Sequence, residues 1–397
     1  MKKTDILIIG AGSSGLAAAI EAARTAPEKN VTVLEHLPKA GKKILATGNG
    51  RCNLGNLNAA DHRYTNAKFA QPVIEKYGTQ NLIDFFESMG LFTRADSEGR
   101  LYPMSNSAAS VLDALRFECE KLGVKIICEE KATQIKKSGN GFTVNNNITA
   151  EKVIFATGGK AAPSQGSDGS GYPLLKSLGH SITPLSPSLV QIKTDTASIK
   201  SLKGVRAKAK LTLSTGGNSE GEILFTDYGV SGIAAMDLSR FVKADKKAEI
   251  SLDLLPDFTQ EAAKDIIISI ARHNPAMPAE SMLGGIIHKA IGTAAIKASL
   301  GFMPKTAAEI KPKQAAVIAA TLKDFRLSVT GTKSYNDAQV TRGGADVSEF
   351  DNNTMMSKKV KNLFACGEVL DVDGACGGFN LAWAFASGRL AGKSAAE

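Results

Sequence analysis

Three glycines near one end of the chain and a glycine-rich acidic block near the other have the makings of an anion-binding site. Gly10, Gly12 and Gly15, with Ser13 and Ser14 among them, follow the apolar run 6–9 and precede the alanine-rich stretch 16–23. A short strand that feeds a tight turn and then a helix leaves backbone N–H groups free for a pyrophosphate, and glycines keep side chains out of its way. Glu35 closes the next apolar run 20 residues beyond Gly15, where a carboxylate accepts from a ribose 2′-OH and repels a 2′-phosphate. The second half follows the apolar residues 363–365: Gly367, Glu368, Asp371, Asp373, Gly374, Gly377 and Gly378. A nicotinamide enzyme needs only the first half. A flavoprotein that folds its C-terminal segment back onto the cofactor needs both, so the pairing points to FAD.

Residues 374–380 precede the last helical pattern, so Gly377, Gly378, Phe379 and Asn380 are expected at the pyrimidine edge of a flavin. Reduction places negative charge there, and a helix N-terminus stabilises it. The plainer alternative, a simple Gly-Gly turn, is disfavoured by Gly367-Glu368 upstream. Thr47, Gly50, Arg51, Cys52 and Asn53 lie in a glycine-dense stretch without helix or strand periodicity, which suits a loop along the cofactor. Arg51 suits a phosphate, an anionic substrate group or a surface salt bridge. Cys52 and Cys376 read either as redox-active thiols or, the commoner fate of isolated cysteines, as packing residues. Thr157 and Gly158 end another apolar run in a glycine turn. No acid–base catalyst stands out. Tyr228, in the 226–229 turn, and Arg342, before Gly343-Gly344, are candidates together with Cys376, and each also reads as a structural residue. His36, His62, His180, His273 and His288 form no metal spacing, and no metal site is expected. A second GxGxxG is absent, so NAD(P)H would visit the flavin only transiently.

These residues need a scaffold. The chain has 397 residues, enough for several domains, and its hydrophobic fraction of 43 % comes without any long apolar run, which excludes a membrane span. Five cysteines without a CxxC pair, and no signal-like N-terminus, suit a cytoplasmic protein. The net charge of +9 is spread over short lysine groups, which suits solvated faces and anionic small molecules. RNA is the sharper alternative, without a local motif to support it. The fold class is α/β: a Rossmann-like FAD-binding domain with inserted β-rich and helical domains. The discontinuous FAD-binding domain is expected at 1–187 and 345–397, the β-rich domain at 188–256 and 325–344, and the helical domain at 257–324. Helices are expected over 79–90 and 108–123, and 124–128 with 142–144 read as strands of a small meander.

The stretch Gly41-Lys42-Lys43-Ile44-Leu45-Ala46-Thr47-Gly48-Asn49-Gly50-Arg51-Cys52-Asn53 resembles the signature of the YhiN-type flavoproteins, a family that includes aminoacetone oxidase and a 3-dehydro-bile acid reductase. Further matches follow in order at 158–159, 166–172, 221–226, 229–232, 340–344, 354–358 and 367–380. The resemblance spans essentially the whole chain. It implies FAD, with Lys43 among the cofactor residues and Glu368, or the backbone beside it, at the ribityl or pyrophosphate portion; an acidic helix cap is the alternative for Glu368. Gly55, Ala375-Cys376, Phe379 and Ala382 depart from the residues frequent in the family, so no single member's substrate is carried over. The expected activity is hydride transfer through flavin N5 between a small or hydrophobic organic molecule and NAD(P)H or O₂. That molecule is a conjugated C=C acceptor or an amine or alcohol donor. The alternative is a flavin-bearing RNA-binding or tRNA-modifying protein with low turnover.

Overall fold

A computed structural model describes residues 2–61, 63–243 and 246–397 and divides into two units, Met1–Pro187 with Gln339–Glu397, and Ser188–Ala338. In the first unit the apolar strands Lys2–Ile9, Val31–Leu34 and Ile148–Phe155 run parallel, with Ile9 level with Leu34 on one side and Phe155 on the other. Leu363–Ala365 joins them, Ala365 lying level with Phe155. Four strands therefore end on one line, and the loops that follow them, beginning at Gly10, Glu35, Ala156 and Cys366, emerge together. That carboxyl edge of a parallel sheet is where ligands of such folds bind. Strands buried on both faces read as apolar runs, which is why 6–9 lacks alternation, and 31–34 is buried throughout although Thr32 interrupts it.

The sheet is completed by an antiparallel meander, Ile135–Ser138, Gly141–Val144 and the start of Ile148–Phe155. Lys125–Ile127 does not belong to that meander, as its pattern suggested. It pairs in parallel with Val31–Leu34 at the opposite edge of the sheet. Three residues are too few to carry a period, so only the pairing decides.

The helix Ser13–Thr25 and the C-terminal helix Phe379–Ala396 pack on each other at backbone distance. A Cβ on Gly388 would lie 2.3 Å from the Ser14 carbonyl oxygen, and one on Gly392 would lie 2.1 Å from that of Ala18. Elsewhere in this unit His180 is enclosed. Its Nδ1 lies 2.9 Å from Glu349 Oε2, its Nε2 3.0 Å from Ser357 Oγ, and Phe350 stacks on the ring at 4.7 Å. The arrangement mimics a Ser–His–acid triad, but Ser357 is only 3 % exposed and its hydroxyl also accepts from Lys359 and Val360 N–H, so it is a structural latch.

In the second unit six strands close into a barrel in the order Ile192–Thr194, Gly229–Ser231, Asn218–Phe225, Arg206–Leu213, Ala248–Asp253 and Phe325–Thr332. Along Arg206–Leu213 the side chains alternate, with Ala209, Leu211 and Leu213 inside and Arg206, Lys208 and Lys210 outside. The helices Gln260–His273, Lys289–Leu300 and Pro312–Lys323 surround a separate apolar core that includes Ile267, Ile296 and Ile318.

Overpacking the helix pair should cost about 1–3 kcal/mol, so Gly392→Val is expected to lower the urea midpoint. Burial depresses the His180 pKa from its ordinary 6.5, while the Lys359 ammonium and Ser181 N–H hold Glu349 at about 2 against its own burial. Both groups bind protons less readily when folded, so the stability they contribute is present at neutral pH. The His180 share is lost as pH falls below 6.5 and the Glu349 share as it falls from 4.5 towards 2. Urea melts between pH 7 and pH 5 should therefore show a falling midpoint, and His180→Gln should flatten that limb.

Candidate cofactor site

The first half of the site is built by close packing around one opening. A Cβ on Gly15 would lie 1.9 Å from the Gly10 carbonyl oxygen, and one on Gly10 would lie 2.4 Å from that of Ala156. Gly12 differs: a Cβ there would meet no protein atom within 4 Å, and Gly12 and Ser13 are half-exposed at the start of the helix. The turn thus leaves room at the one glycine where a pyrophosphate must approach, and the residues present fit FAD there. Glu35 is buried, with Oε2 accepting from Ala11 N–H at 3.0 Å and Oε1 from Leu37 N–H at 2.8 Å. Its carboxylate is fixed against the glycine turn. Ser14 is buried and faces the other half of the site, its Oγ lying 2.5 Å from where a Gly367 Cβ would be.

The second half is held by the C-terminal helix. Gly367 N–H donates to Ser387 Oγ at 2.9 Å, and Trp383 Nε1 donates to the Gly367 carbonyl at 3.1 Å. Glu368 caps no helix longer than its own short turn. Its Oε1 accepts from Thr341 N–H at 2.8 Å and its Oε2 pairs with Lys43 Nζ at 2.9 Å. Lys43 Nζ also reaches the Ala161 carbonyl at 3.2 Å, and Thr341 Oγ1 accepts from Lys160 and Ala161 N–H. Glu368 is therefore a hub joining three loops. Gly158 adopts φ +68° beside Ser167, and the Thr157 hydroxyl is buried against Gly171 without a hydrogen-bond partner.

The loop of residues 47–53 is wound tightly, Gly48, Asn49 and Gly50 all having positive φ. Thr47 Oγ1 donates to the Ile44 carbonyl at 2.6 Å. The Arg51 guanidinium lies over the Tyr102 ring at 4.9 Å and donates to the Gly48 carbonyl, in place of a salt bridge. Cys52 is fully buried and burial pushes its thiol up to about 11, which suits packing and not redox chemistry. The Asn53 amide, oriented to satisfy its neighbours, accepts from Gly378 N–H at 3.0 Å and donates to the Gly55 carbonyl at 2.8 Å. Asn56 donates to the Gly377 carbonyl at 2.8 Å, and Asn380 clasps both the N–H and the carbonyl of Gly374. Asp373 is fully buried and accepts from Thr65 Oγ1 at 2.8 Å. Phe379 is buried against Tyr64, with Arg63 over its ring at 5.3 Å. The segment before the helix is thus pinned from both sides.

Of the catalytic candidates, Arg342 ends the strand Val340–Arg342 and its charge acts on Asp371. Cys376 is half-buried in the pinned segment. Tyr228 lies in the barrel unit, its ring under Lys333 Nζ at 4.4 Å. His36 neighbours Glu35, His273 bonds the Ser269 carbonyl and His288 caps its own helix. His62 lies outside the described residues. Among the described residues no group of three His, Cys, Asp or Glu is placed to hold a metal ion, and no helix is long and apolar enough to cross a membrane. Sequence reading missed Thr65, Asn56 and Thr341. Thr341 had a signal in its place beside Arg342, whereas Thr65 and Asn56 had none.

The open space at Gly12 yields a test. Gly12→Val should leave the melting temperature of the flavin-free chain unchanged and abolish FAD uptake, read by flavin fluorescence. Gly15→Val, by contrast, should lower the melting temperature itself.

The chain matches the HI0933-like protein Rossmann domain family over residues 4–394. It is 37 % identical over 403 residues to the 3-dehydro-bile acid delta(4,6)-reductase of Clostridium scindens, covering 98 % of each chain. It is 29 % identical to the ribosomal RNA dihydrouridine synthase of Escherichia coli, covering 98 % of this chain and 96 % of that one. Among solved structures, 3-ketosteroid delta1-dehydrogenase from Sterolibacterium denitrificans shares the fold, with a TM-score of 0.54, 12 % identity and full coverage of both chains. A Rossmann fold whose two ends meet at one glycine-lined opening, matched along its whole length, makes this chain a member of the HI0933-like Rossmann family.

Proposed function

We propose that this FAD-dependent oxidoreductase reduces a carbon–carbon double bond conjugated to a carbonyl group, with electrons from a transiently bound NADH or NADPH. The observation that carries the reading is that two full-length relatives with unlike substrates are named for one kind of bond. A Δ4 bond beside a 3-oxo group and the C5=C6 bond of uridine beside its C4 carbonyl are both activated alkenes. Saturating either takes a hydride at the β-carbon and a proton at the α-carbon.

Bound FAD supplies the hydride chemistry at N5. The chain's own work is positional and electrostatic. Gly12, Ser13 and the N–H groups of the first helical turn would receive the pyrophosphate, and Glu35, anchored by Ala11 and Leu37 N–H, would receive the ribose. The segment before the C-terminal helix, fixed by Asn53 and Asn380, would hold the flavin's pyrimidine edge, where the helix N-terminus would favour negative charge. The sequence offers no second GxGxxG for a nicotinamide dinucleotide, so such a donor would be held only transiently.

A uridine within RNA is the second reading of the substrate. The net charge of +9 favours it, because a basic surface attracts a phosphate polymer. The more similar of the two relatives favours the small-molecule enone. An anaerobic absorbance titration with NADH and NADPH tests the reading, followed by a 3-oxo-Δ4 steroid or a ribosomal RNA transcript. Bleaching by a nucleotide and recolouring by one acceptor are expected, with recolouring by RNA suppressed at high salt. Recolouring by air alone, with neither acceptor effective, would replace the reductase reading with an oxidase. A chain that takes up no FAD would overturn the cofactor itself.

A further inference from the structure

A small sheet beside the glycine-dense loop has two unlike faces. Its strands Gly55–Asn56, Arg100–Pro103 and Thr93–Ala95 are antiparallel, with Asn56 opposite Arg100 and Arg94 opposite Tyr102. Residues directly opposite, or two apart along a strand, share a face. The face of Gly55 and Leu101 packs towards Leu82 and Ala382. The other carries Asn56, Arg100, Tyr102 and Arg94, and a bond from Met104 N–H to the Phe92 carbonyl at 2.9 Å adds one more pair to it. That face begins at the pinned segment, where Asn56 holds the Gly377 carbonyl and the Arg100 stem would lie 3.9 Å from a Gly377 Cβ. It ends, about 14 Å along the strand from Arg100, at Phe92 and Met104, each 61 % exposed.

We propose that this face binds the substrate, with Arg51 and Tyr102 holding its carbonyl oxygen and Phe92 and Met104 taking an apolar skeleton; the chemistry of that occupant rests on the reductase reading above. Two sets of unmatched donors carry the argument. Tyr102 is only 6 % exposed, yet its phenol has no hydrogen-bond partner among the described residues. Unlike the Thr157 hydroxyl, its oxygen is not sealed from solvent. The Arg51 guanidinium is clamped, its Nε donating to the Gly48 carbonyl at 3.2 Å and its plane held 4.9 Å from the Tyr102 ring centre. Its Nη groups meet no acceptor among the described residues. The neighbouring arginines are committed: Arg100 pairs with Asp96 and Glu98, and Arg94 donates to Asn106 Oδ1 at 2.7 Å. A fixed cation beside an unmatched phenol suits an acceptor from outside the chain.

Conjugate reduction creates such an acceptor. Hydride addition forms a C–H bond at the β-carbon, the alkene π-pair moves towards the carbonyl, and the carbonyl π-pair settles on oxygen as an enolate. A proton from water then forms the C–H bond at the α-carbon and the carbonyl is restored. The two electrons come from the dihydronicotinamide donor. Donors fixed before the charge arrives stabilise it without having to reorganise. Because Asp96 and Glu98 neutralise Arg100, the row offers no strip of cations to a phosphate chain, and a neutral apolar ketone fits it better than RNA.

The test titrates oxidised holoenzyme, which has no electrons to give, with a 3-oxo-Δ4 steroid and reads the shift of the flavin absorbance band. Arg51→Met should weaken binding about 30-fold and Tyr102→Phe about fivefold. The same steroid lacking its oxo group should bind the parent and both variants alike. Phe92→Ser combined with Met104→Ser should weaken the steroid but not cyclohexenone, a ketone without the skeleton. Anaerobic recolouring by the steroid should slow about 100-fold in Arg51→Met. Tyr102→Phe keeps the ring under Arg51, so its folding and FAD retention should match the parent. Unchanged ketone affinity in Arg51→Met and Tyr102→Phe, or an equal loss for the steroid without its oxo group, would overturn the proposal. Loss of FAD from Arg51→Met would assign that residue to the cofactor and overturn it too. A parent that binds the ketone but is recoloured by no acceptor would defeat the reductase reading alone. A parent that binds no ketone yet is recoloured by RNA would defeat only this site.

Discussion

The first and last helices of the chain touch through their backbones, and the cofactor unit depends on that contact. Gly388 and Gly392 let the C-terminal helix settle onto the Ser14 and Ala18 carbonyls at a distance no side chain would allow. The approach puts Ser387 and Trp383 of the same helix within hydrogen-bond reach of Gly367, and the Ser14 hydroxyl against that glycine from the other side. One serine thus belongs to the glycine turn through its position and to the acidic turn through its side chain. Dispersion at such short range falls off steeply with distance, so a small displacement of either helix would separate the two halves of the site.

Bringing four strand ends to one line has an electrostatic cost that the neighbouring residues resolve. Glu35, Glu368, Asp371 and Asp373 would repel one another if all were equally charged in a half-buried space. Each meets a different partner: two backbone N–H groups for Glu35, an ammonium for Glu368, and hydroxyls for Asp373 and Asp371, from Thr65 and Thr183.

Much of this was legible in the chain because it is local. A strand, three glycines, a helix and a terminal acid are read within some 30 residues, and they specify the α/β class and the turn geometry together. The closure of the six-stranded barrel was not legible, since its strands show alternation but their pairing spans Ile192 to Thr332. Lys125–Ile127 was misplaced for a similar reason: a three-residue strand reveals its sheet only through its partner. In the site, Asn53 was suggested by a motif, but the bond to Gly378 that gives it a purpose crosses the whole sequence. Glu368 was noticed for its place in a turn, and nothing local pointed to Lys43 and Thr341 as its partners.

Two departures from the family pattern turn out to be one. Gly55 and Ala382 lie far apart in sequence, yet a Cβ on Gly55 would sit 3.7 Å from the Ala382 Cβ and 3.0 Å from a Leu82 methyl. Ala382 is fully buried on the first turns of the C-terminal helix. A threonine at 55 alone would press on Leu82 with its hydroxyl unmatched, and a glutamine at 382 alone would bury an amide without a partner, a penalty of about 1–3 kcal/mol. Introduced together, the two side chains could satisfy each other, so their effects should be strongly non-additive. Gly55 also lies against the segment that carries Gly377 and Gly378, since a Cβ on Gly378 would sit 2.2 Å from the Gly55 carbonyl oxygen, so small residues at 55 and 382 let that segment and the C-terminal helix close on each other.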